Sequence, residues 1–209
     1  MSLVDLIVYM YSQTSIACRF AYIFWSMFIV VYAYTWYYEK MHKSHIYQKR
    51  KFKLWNYPFT LYVLGILSIT IHHASIHYNR NMSFPWDSTP ASIIGFIVMA
   101  VGLTVICLAR ACIDGYWATN IYDYAEHNEL ITKGIYKYTR HPVYDGQLLM
   151  TIGTVMLTNN MLLLFFPVLT VATNIWRAKR EDFDLNERFP EEFTDYKSKR
   201  PFFMFLMQF

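Results

Sequence analysis

The stretch Gly134-Ile-Tyr-Lys-Tyr-Thr-Arg-His-Pro-Val-Tyr-Asp-Gly146 stands at the mouth of an apolar region that runs from Val143 to Trp176. Asn159-Asn160 divides this region into two predicted helices of roughly 16 residues, each about 24 Å long. If the chain turns back at this pair, Arg140 and His141 lie at the same membrane face as Arg180-Glu181-Asp182. Polar groups gathered at one end of two apolar helices predict a binding site for a charged small molecule.

The composition places the chain in a bilayer. Of its 209 residues, 55% are hydrophobic and 19% are aromatic, but only 16% are charged, whereas about a quarter of the residues in a soluble domain are charged. This length predicts one domain, residues 1–209. The net charge of +4 is too small to indicate a nucleic-acid partner. The three cysteines lie apart and predict neither a disulfide framework nor a metal site.

Five membrane spans follow from the pattern of apolar segments. A spanning helix needs about 20 mostly apolar residues, and three segments reach this length near Ala17–Tyr38, Tyr57–His77 and Ala91–Cys112. The two shorter helices of the C-terminal apolar region would form a helical hairpin that completes the five. We therefore predict an all-α polytopic membrane protein, with three spans in residues 1–112 and the hairpin in residues 113–209.

Basic residues in the loops set the orientation. Six lysines and arginines crowd residues 40–53, so we expect the first loop to be cytoplasmic. Five spans with the N-terminus outside then place the third loop and the charged C-terminal tail in the cytoplasm as well. The apolar spacing from Leu185 to Tyr196 predicts an amphipathic helix over Asp184 to Lys199 on that side. We expect no cleavable signal peptide, because no basic residues precede the first apolar run.

The Arg-His dipeptide has the local structure that a binding site needs. Pro142 suits the first turn of a helix and pushes His141 towards an extended conformation, so Arg140 and His141 would face a ligand from just outside the fourth span. Guanidinium and carboxylate groups together suit a zwitterionic ligand, since arginine binds carboxylates bidentately. The alternative is structural: such residues also anchor helix ends in the headgroup region.

The order and spacing of these motifs resemble the isoprenylcysteine carboxyl methyltransferase and phospholipid methyltransferase superfamily of integral membrane enzymes. That superfamily carries Gly-x-Tyr-x-x-x-Arg-His-Pro-x-Tyr-x-Gly, a hairpin, Glu-Glu-x-x-Leu and then Phe-Gly-x-Glu-Tyr-x-x-Tyr. The resemblance covers roughly residues 110–201. Asp182 departs from the second Glu, Pro190 departs from the Gly, and a Gly-x-Gly element of the phospholipid branch has no counterpart here.

The resemblance implies S-adenosylmethionine as the cofactor of residues 113–209. It implies catalytic roles for Arg140, His141 and Glu181. It implies that the cofactor is bound or its site supported by ten residues: His127, Gly134, Tyr136, Tyr138, Arg140, His141, Pro142, Tyr144, Glu181 and Asp182.

The function implied is methyl transfer to a lipophilic or amphiphilic acceptor reached from the bilayer, with isoprenylcysteine-carboxylate O-methylation first. The alternatives are a phospholipid amine or a small thiol as acceptor, an NADPH-dependent enzyme similar to sterol reductases, and a non-catalytic scaffold. The membrane is either a bacterial inner membrane or the endoplasmic reticulum, with the site facing the cytoplasm. His72, His73 and His77 form a single histidine cluster, which we expect to pack or to lie at the interface rather than bind a metal.

Overall fold

The computed structural model describes residues 88–112 and 130–204, together with the isolated helical positions 23, 26, 27 and 30. The described elements are α1 (Ser88–Cys112), a 3₁₀ turn (Gly134–Lys137), α2 (Pro142–Thr158), a second 3₁₀ turn (Met161–Leu164), α3 (Phe165–Arg188) and α4 (Pro190–Lys199). The prediction of an all-α fold is confirmed for this part of the chain. The span predicted at Tyr57–His77, most of the span at Ala17–Tyr38, the basic first loop and His127 lie outside the described residues.

Two of the described helices have the length and composition to cross a membrane. They are Pro90–Cys112, with a mean hydropathy of 2.6, and Met161–Arg188, with a mean hydropathy of 1.5. Large apolar side chains remain exposed on both, including Ile93 and Ile97 on α1 and Val168 on α3. Exposed apolar side chains on helices of this composition suit contact with lipid.

Glycines bring α1 and α2 into direct backbone contact. A Cβ atom added to Gly102 would lie 2.7 Å from the carbonyl oxygen of Gly146, and one added to Gly146 would lie 2.6 Å from that of Gly102. Two turns away, Gly95 and Gly153 form the same kind of pair, at 2.8 and 2.7 Å. Small residues at a helix interface permit this close approach, and it anchors the start of α2 against α1.

The Asn159-Asn160 pair turns the chain between α2 and α3. Asn159 ends α2 in the left-handed conformation, with φ 49°, which asparagine tolerates better than most residues. The side chain of Asn160 accepts a hydrogen bond of 3.0 Å from the amide of Leu162. Further along α3, the Asn174 side chain donates to the carbonyl of Tyr144 at 3.2 Å. The chain therefore returns to the beginning of α2.

The predicted helix from Asp184 to Lys199 is wrong in its boundaries. α3 continues unbroken from the apolar region to Arg188, and α4 begins at Pro190. Phe189 between them has φ −130° and ψ 60°, because a proline disfavours the α conformation in the residue before it. The apolar spacing continues across this break, which is why periodicity alone predicts one helix.

Candidate functional site

The Arg140-His141 dipeptide lies immediately before α2, as the sequence predicts. Pro142 occupies the first helical position, and His141 caps the helix with φ −128° and ψ 57°. Both side chains are buried, each residue being 5% exposed. The amide of Arg140 donates to the carbonyl of Pro201 at 3.1 Å. The dipeptide is thus held from two directions, by the helix that it precedes and by a segment from the end of the chain.

Two consecutive acids on α3 reach this dipeptide. The Arg140 guanidinium forms an ion pair with the Asp182 carboxylate through Nη1 and Oδ2. His141 Nε2 lies 2.9 Å from Asp182 Oδ1, and His141 Nδ1 lies 3.2 Å from Glu181 Oε2. The Tyr144 hydroxyl donates to the other oxygen of Glu181. The return of α3 thus brings five residues that the sequence singled out into one hydrogen-bonded cluster.

The electrostatics of the cluster centre on His141. Burial lowers the pKa of His141, but the hydrogen bonds and negative charges of Asp182 and Glu181 more than offset this, and its pKa is raised above the ordinary value. An imidazolium donates from both ring nitrogens, whereas a neutral imidazole donates from one and accepts at the other. Contact with a carboxylate at each nitrogen therefore favours the charged form.

Three further predicted site residues lie in the loop before the cluster. Gly134 has φ 62° and packs against the Cys112 side chain with no room for a Cβ atom. Tyr136 is half-buried, and its carbonyl accepts a 2.7 Å hydrogen bond from the Tyr196 hydroxyl. Tyr138 is 68% exposed. These residues shape and support the loop that leads into the cluster.

Sequence reasoning missed the aromatic residues after α4. Phe202 and Phe203 are 3% and 4% exposed. The Phe202 ring meets the His141 ring edge-on, with 5.1 Å between centroids, and Arg140 Cζ lies 5.1 Å from the Phe202 centroid. The sequence shows two adjacent aromatic residues after Pro201, but it does not show which surface of the protein they cover.

Asn174 and Asp145 were also missed. Asn174 is 2% exposed and Asp145 is 1% exposed, although both lie in the apolar region. Polar residues within such segments are expensive and are functional candidates. That rule could have identified both residues from the sequence. Their burial shows that the contact between α2 and α3 is polar next to the cluster.

The donor and acceptor set of the cluster fits the cofactor that the resemblance implies. S-adenosylmethionine presents a carboxylate, an ammonium group, ribose hydroxyls and a sulfonium. Arg140 Nε is buried with no hydrogen-bond partner among the described residues, and it could donate to an anion. The Glu181 side chain is 25% exposed and could accept from an ammonium or a hydroxyl. The cluster thus offers a cationic donor and an accessible carboxylate side by side.

Comparison with known proteins points to one group of enzymes. Residues 90–192 match the family model described as phospholipid methyltransferase. A protein-S-isoprenylcysteine O-methyltransferase A from Arabidopsis thaliana is 33% identical over 50% of this chain and 54% of its own length. A probable protein-S-isoprenylcysteine O-methyltransferase from Oryza sativa subsp. indica is 34% identical, over 52% of this chain and 58% of its own length. The protein-S-isoprenylcysteine O-methyltransferase from Homo sapiens is 31% identical, over 53% of this chain and 39% of its own length. The chain therefore spans little more than half the length of the plant relatives.

Proposed function

Because its residues 90–192 belong to the isoprenylcysteine carboxyl methyltransferase and phospholipid methyltransferase superfamily, we propose that this chain is a membrane methyltransferase that uses S-adenosylmethionine. The names of the relatives support the reaction class. These matches confirm the family that the Arg-His-Pro segment indicated. The Arg140 and His141 side chains of that segment belong to the cluster described above.

The residues of the cluster have distinct proposed roles. Arg140 would bind the carboxylate of the cofactor, and Glu181 would accept from its ammonium or ribose hydroxyls. Asp182, Tyr144 and Pro142 would position these groups, because the first two hold the side chains and the third fixes the dipeptide at the helix start. His127, Gly134, Tyr136 and Tyr138 remain proposed parts of the cofactor site.

One observation carries the choice of acceptor: both ring nitrogens of His141 are occupied by carboxylates. The raised pKa of His141 favours an imidazolium, which has no free lone pair to take a proton from an amine. An acceptor carboxylate is already ionised at neutral pH and needs no general base. When bound, S-adenosylmethionine supplies an activated methyl group on its sulfonium sulfur. The site therefore favours O-methylation of a carboxylate of the isoprenylcysteine type.

The remaining task of the protein is alignment. Holding two reactants in line can lower a barrier by about 7–11 kcal/mol, so rigid support of the cofactor is a sufficient catalytic device for methyl transfer. Arg140 and His141 would contribute by fixing the cofactor, with no proton transfer of their own. Glu181 would do the same from α3.

The bilayer fits a lipophilic or amphiphilic acceptor. We propose that α2 and α3 form a helical hairpin that crosses the membrane and completes five spans, with the cluster facing the cytoplasm. The exposed apolar faces of α1 and α3 support this placement. A prenylated acceptor could then reach the site sideways from the lipid. Both a bacterial inner membrane and the endoplasmic reticulum suit this arrangement.

Cofactor binding tests the proposal most directly. The full chain, purified in detergent, should bind S-adenosylmethionine in calorimetry and should not bind NADPH. Arg140→Ala and Glu181→Ala should abolish binding, whereas Asp195→Ala, which removes an exposed carboxylate paired with Lys199, should not. Preference for NADPH would favour the enzymes similar to sterol reductases. A folded protein that binds neither compound would favour a non-catalytic scaffold and refute the proposal.

A phospholipid amine is the second candidate acceptor, since the matching family model is described as phospholipid methyltransferase. Methyl transfer from labelled cofactor to an N-acetylated S-farnesylcysteine, to phosphatidylethanolamine vesicles and to a small alkyl thiol would separate the candidates. We expect label in the methyl ester of the farnesylcysteine. Label in the lipid headgroup would show that another group serves as the base.

A further inference from the structure

Residues 201–204 lie across the Arg140-His141 dipeptide. Three hydrogen bonds hold this segment: the Arg140 amide donates to the Pro201 carbonyl at 3.1 Å, the Thr139 hydroxyl donates to the Phe202 carbonyl at 3.4 Å, and the Met204 amide donates to Asp145 Oδ1 at 3.0 Å. Two of these bonds use the backbone of the segment as acceptor and one uses it as donor. Both ends of the segment, Pro201 and Met204, are therefore fixed to residues 139–145.

The aromatic rings of the segment cover the charged side chains. Phe202 and Phe203 meet edge-on, with 4.7 Å between ring centroids. The His141 ring lies 5.1 Å from Phe202 and 6.1 Å from Phe203, and the Arg140 guanidinium lies over the Phe202 ring. A guanidinium over an aromatic face is attracted by the ring, and the rings exclude water from one side of the pair.

The side chains of the dipeptide also contact the acids of α3. Arg140 and His141 are thus held both by the carboxylates of Glu181 and Asp182 and by the rings of Phe202 and Phe203. A long arginine side chain has many rotamers, and their loss has a substantial entropic cost. These contacts restrict Arg140 to one rotamer before a ligand binds, so that entropic cost is not incurred on binding.

We propose that residues 201–204 form a positioning strap, in which Phe202 fixes Arg140 and His141 in the orientation that meets the carboxylates of α3. Phe202 is a positioning residue, because it acts through Arg140 and His141 and not on the acceptor. The part of this inference that concerns S-adenosylmethionine affinity rests on the proposed function. The part that concerns His141 does not, since it is a property of the ligand-free protein.

The test compares Phe202→Leu with Phe166→Leu in the full chain in detergent. Phe202→Leu keeps an apolar side chain but removes the ring. Phe166 is 2% exposed and lies in the first turn of α3, about 22 Å along that helix from Glu181. It is a matched control, since Phe166 is buried to the same extent as Phe202 and lies outside the strap. Phe203→Leu is a second, milder strap variant because that ring lies farther from His141.

Two readouts are needed. The first is modification of His141 by diethyl pyrocarbonate in the ligand-free protein, followed by peptide mass spectrometry. We expect Phe202→Leu to speed modification at His141 about tenfold as the dipeptide opens more often, and Phe166→Leu to leave the rate unchanged at a similar melting temperature. The second is the Kd for S-adenosylmethionine, which Phe202→Leu should raise about fivefold through the lost ring contact.

Equal His141 modification rates in wild type, Phe202→Leu and Phe203→Leu would overturn the strap. So would an increase in the Phe166→Leu control that matches the strap variants, because the effect would then be one of general stability. If wild type fails to bind S-adenosylmethionine, the proposed function fails, but the modification rates still decide the strap.

Discussion

Arg140 and Asp182 form an ion pair across 42 positions of sequence, with only 2% and 11% of their side-chain surfaces exposed. The pair joins the start of α2 to α3. Removing two charges from water is expensive, and the loss of one partner leaves the other charge buried and unpaired. The contact therefore makes the geometry of the site dependent on both residues at once.

Single substitutions of this pair should be severe. We expect Asp182→Ala to lower the free energy of unfolding by about 3–5 kcal/mol, because it leaves the Arg140 guanidinium buried without its partner. Thermal unfolding in detergent measures the effect. The exposed Lys199–Asp195 pair, with side chains 60% and 63% exposed, is the control, and Asp195→Ala should cost about 0–1 kcal/mol.

The double variant Arg140→Met with Asp182→Leu separates stability from binding. It removes both charges, so it should be more stable than either single variant and still fail to bind S-adenosylmethionine. A double variant as unstable as the sum of the two singles would contradict the buried pair. Retained binding would show that Arg140 does not hold the cofactor.

The raised pKa of His141 predicts a dependence of stability on pH. A group with a pKa raised by folding binds its proton more tightly in the folded state. The stabilisation is complete below the ordinary pKa of 6.5 and is lost as the pH rises through the higher folded value. The melting temperature of wild type should therefore fall as the pH rises above 6.5, and that of His141→Gln should fall less. Parallel pH profiles for the two proteins would contradict the assignment.

The Tyr144 hydroxyl should matter for binding more than for folding. It donates to Glu181, whose side chain is partly accessible, so Tyr144→Phe removes one donor and keeps the ring. A hydrogen bond to a charged group contributes about 1.5–3 kcal/mol, and we expect S-adenosylmethionine to bind at least tenfold more weakly because Glu181 is freer to move. Calorimetry measures this, with Thr104→Val, which removes an exposed hydroxyl of α1, as the control. Unchanged affinity would remove Tyr144 from the site.

The contact between the Arg-His dipeptide and the α3 acids could be predicted because few alternatives exist. Two short apolar helices joined at Asn159-Asn160 must return the chain to its starting side, and the acids follow directly. The order of the Arg-His-Pro and acidic motifs then indicated the family. Neither step needed a side-chain packing argument: the structure shows the contact, and the family model confirms the family.

The rest depended on packing that the sequence does not display. The segment that carries Phe202 and Phe203 is held over the site by backbone groups of residues 201, 202 and 204, whose hydrogen bonds do not depend on the side chains there. The break at Phe189 was readable from Pro190, but apolar residues recur at helical spacing on both sides of it. Gly95 and Gly102 do not form a Gly-x-Gly element, but their spacing of seven residues places them on one face of α1.

That glycine face carries the last prediction. Ala at Gly102 would place a Cβ atom 2.7 Å from the Gly146 carbonyl oxygen, and the backbone of α2 must move away to admit it. Overpacking of this kind costs about 1–3 kcal/mol. Gly102→Ala should therefore lower the melting temperature in detergent, and it should weaken S-adenosylmethionine binding because α2 begins at the site. Thr104→Ala, on the exposed side of the same helix, should do neither. If Gly102→Ala proves as stable as Thr104→Ala, the close contact between α1 and α2 is wrong.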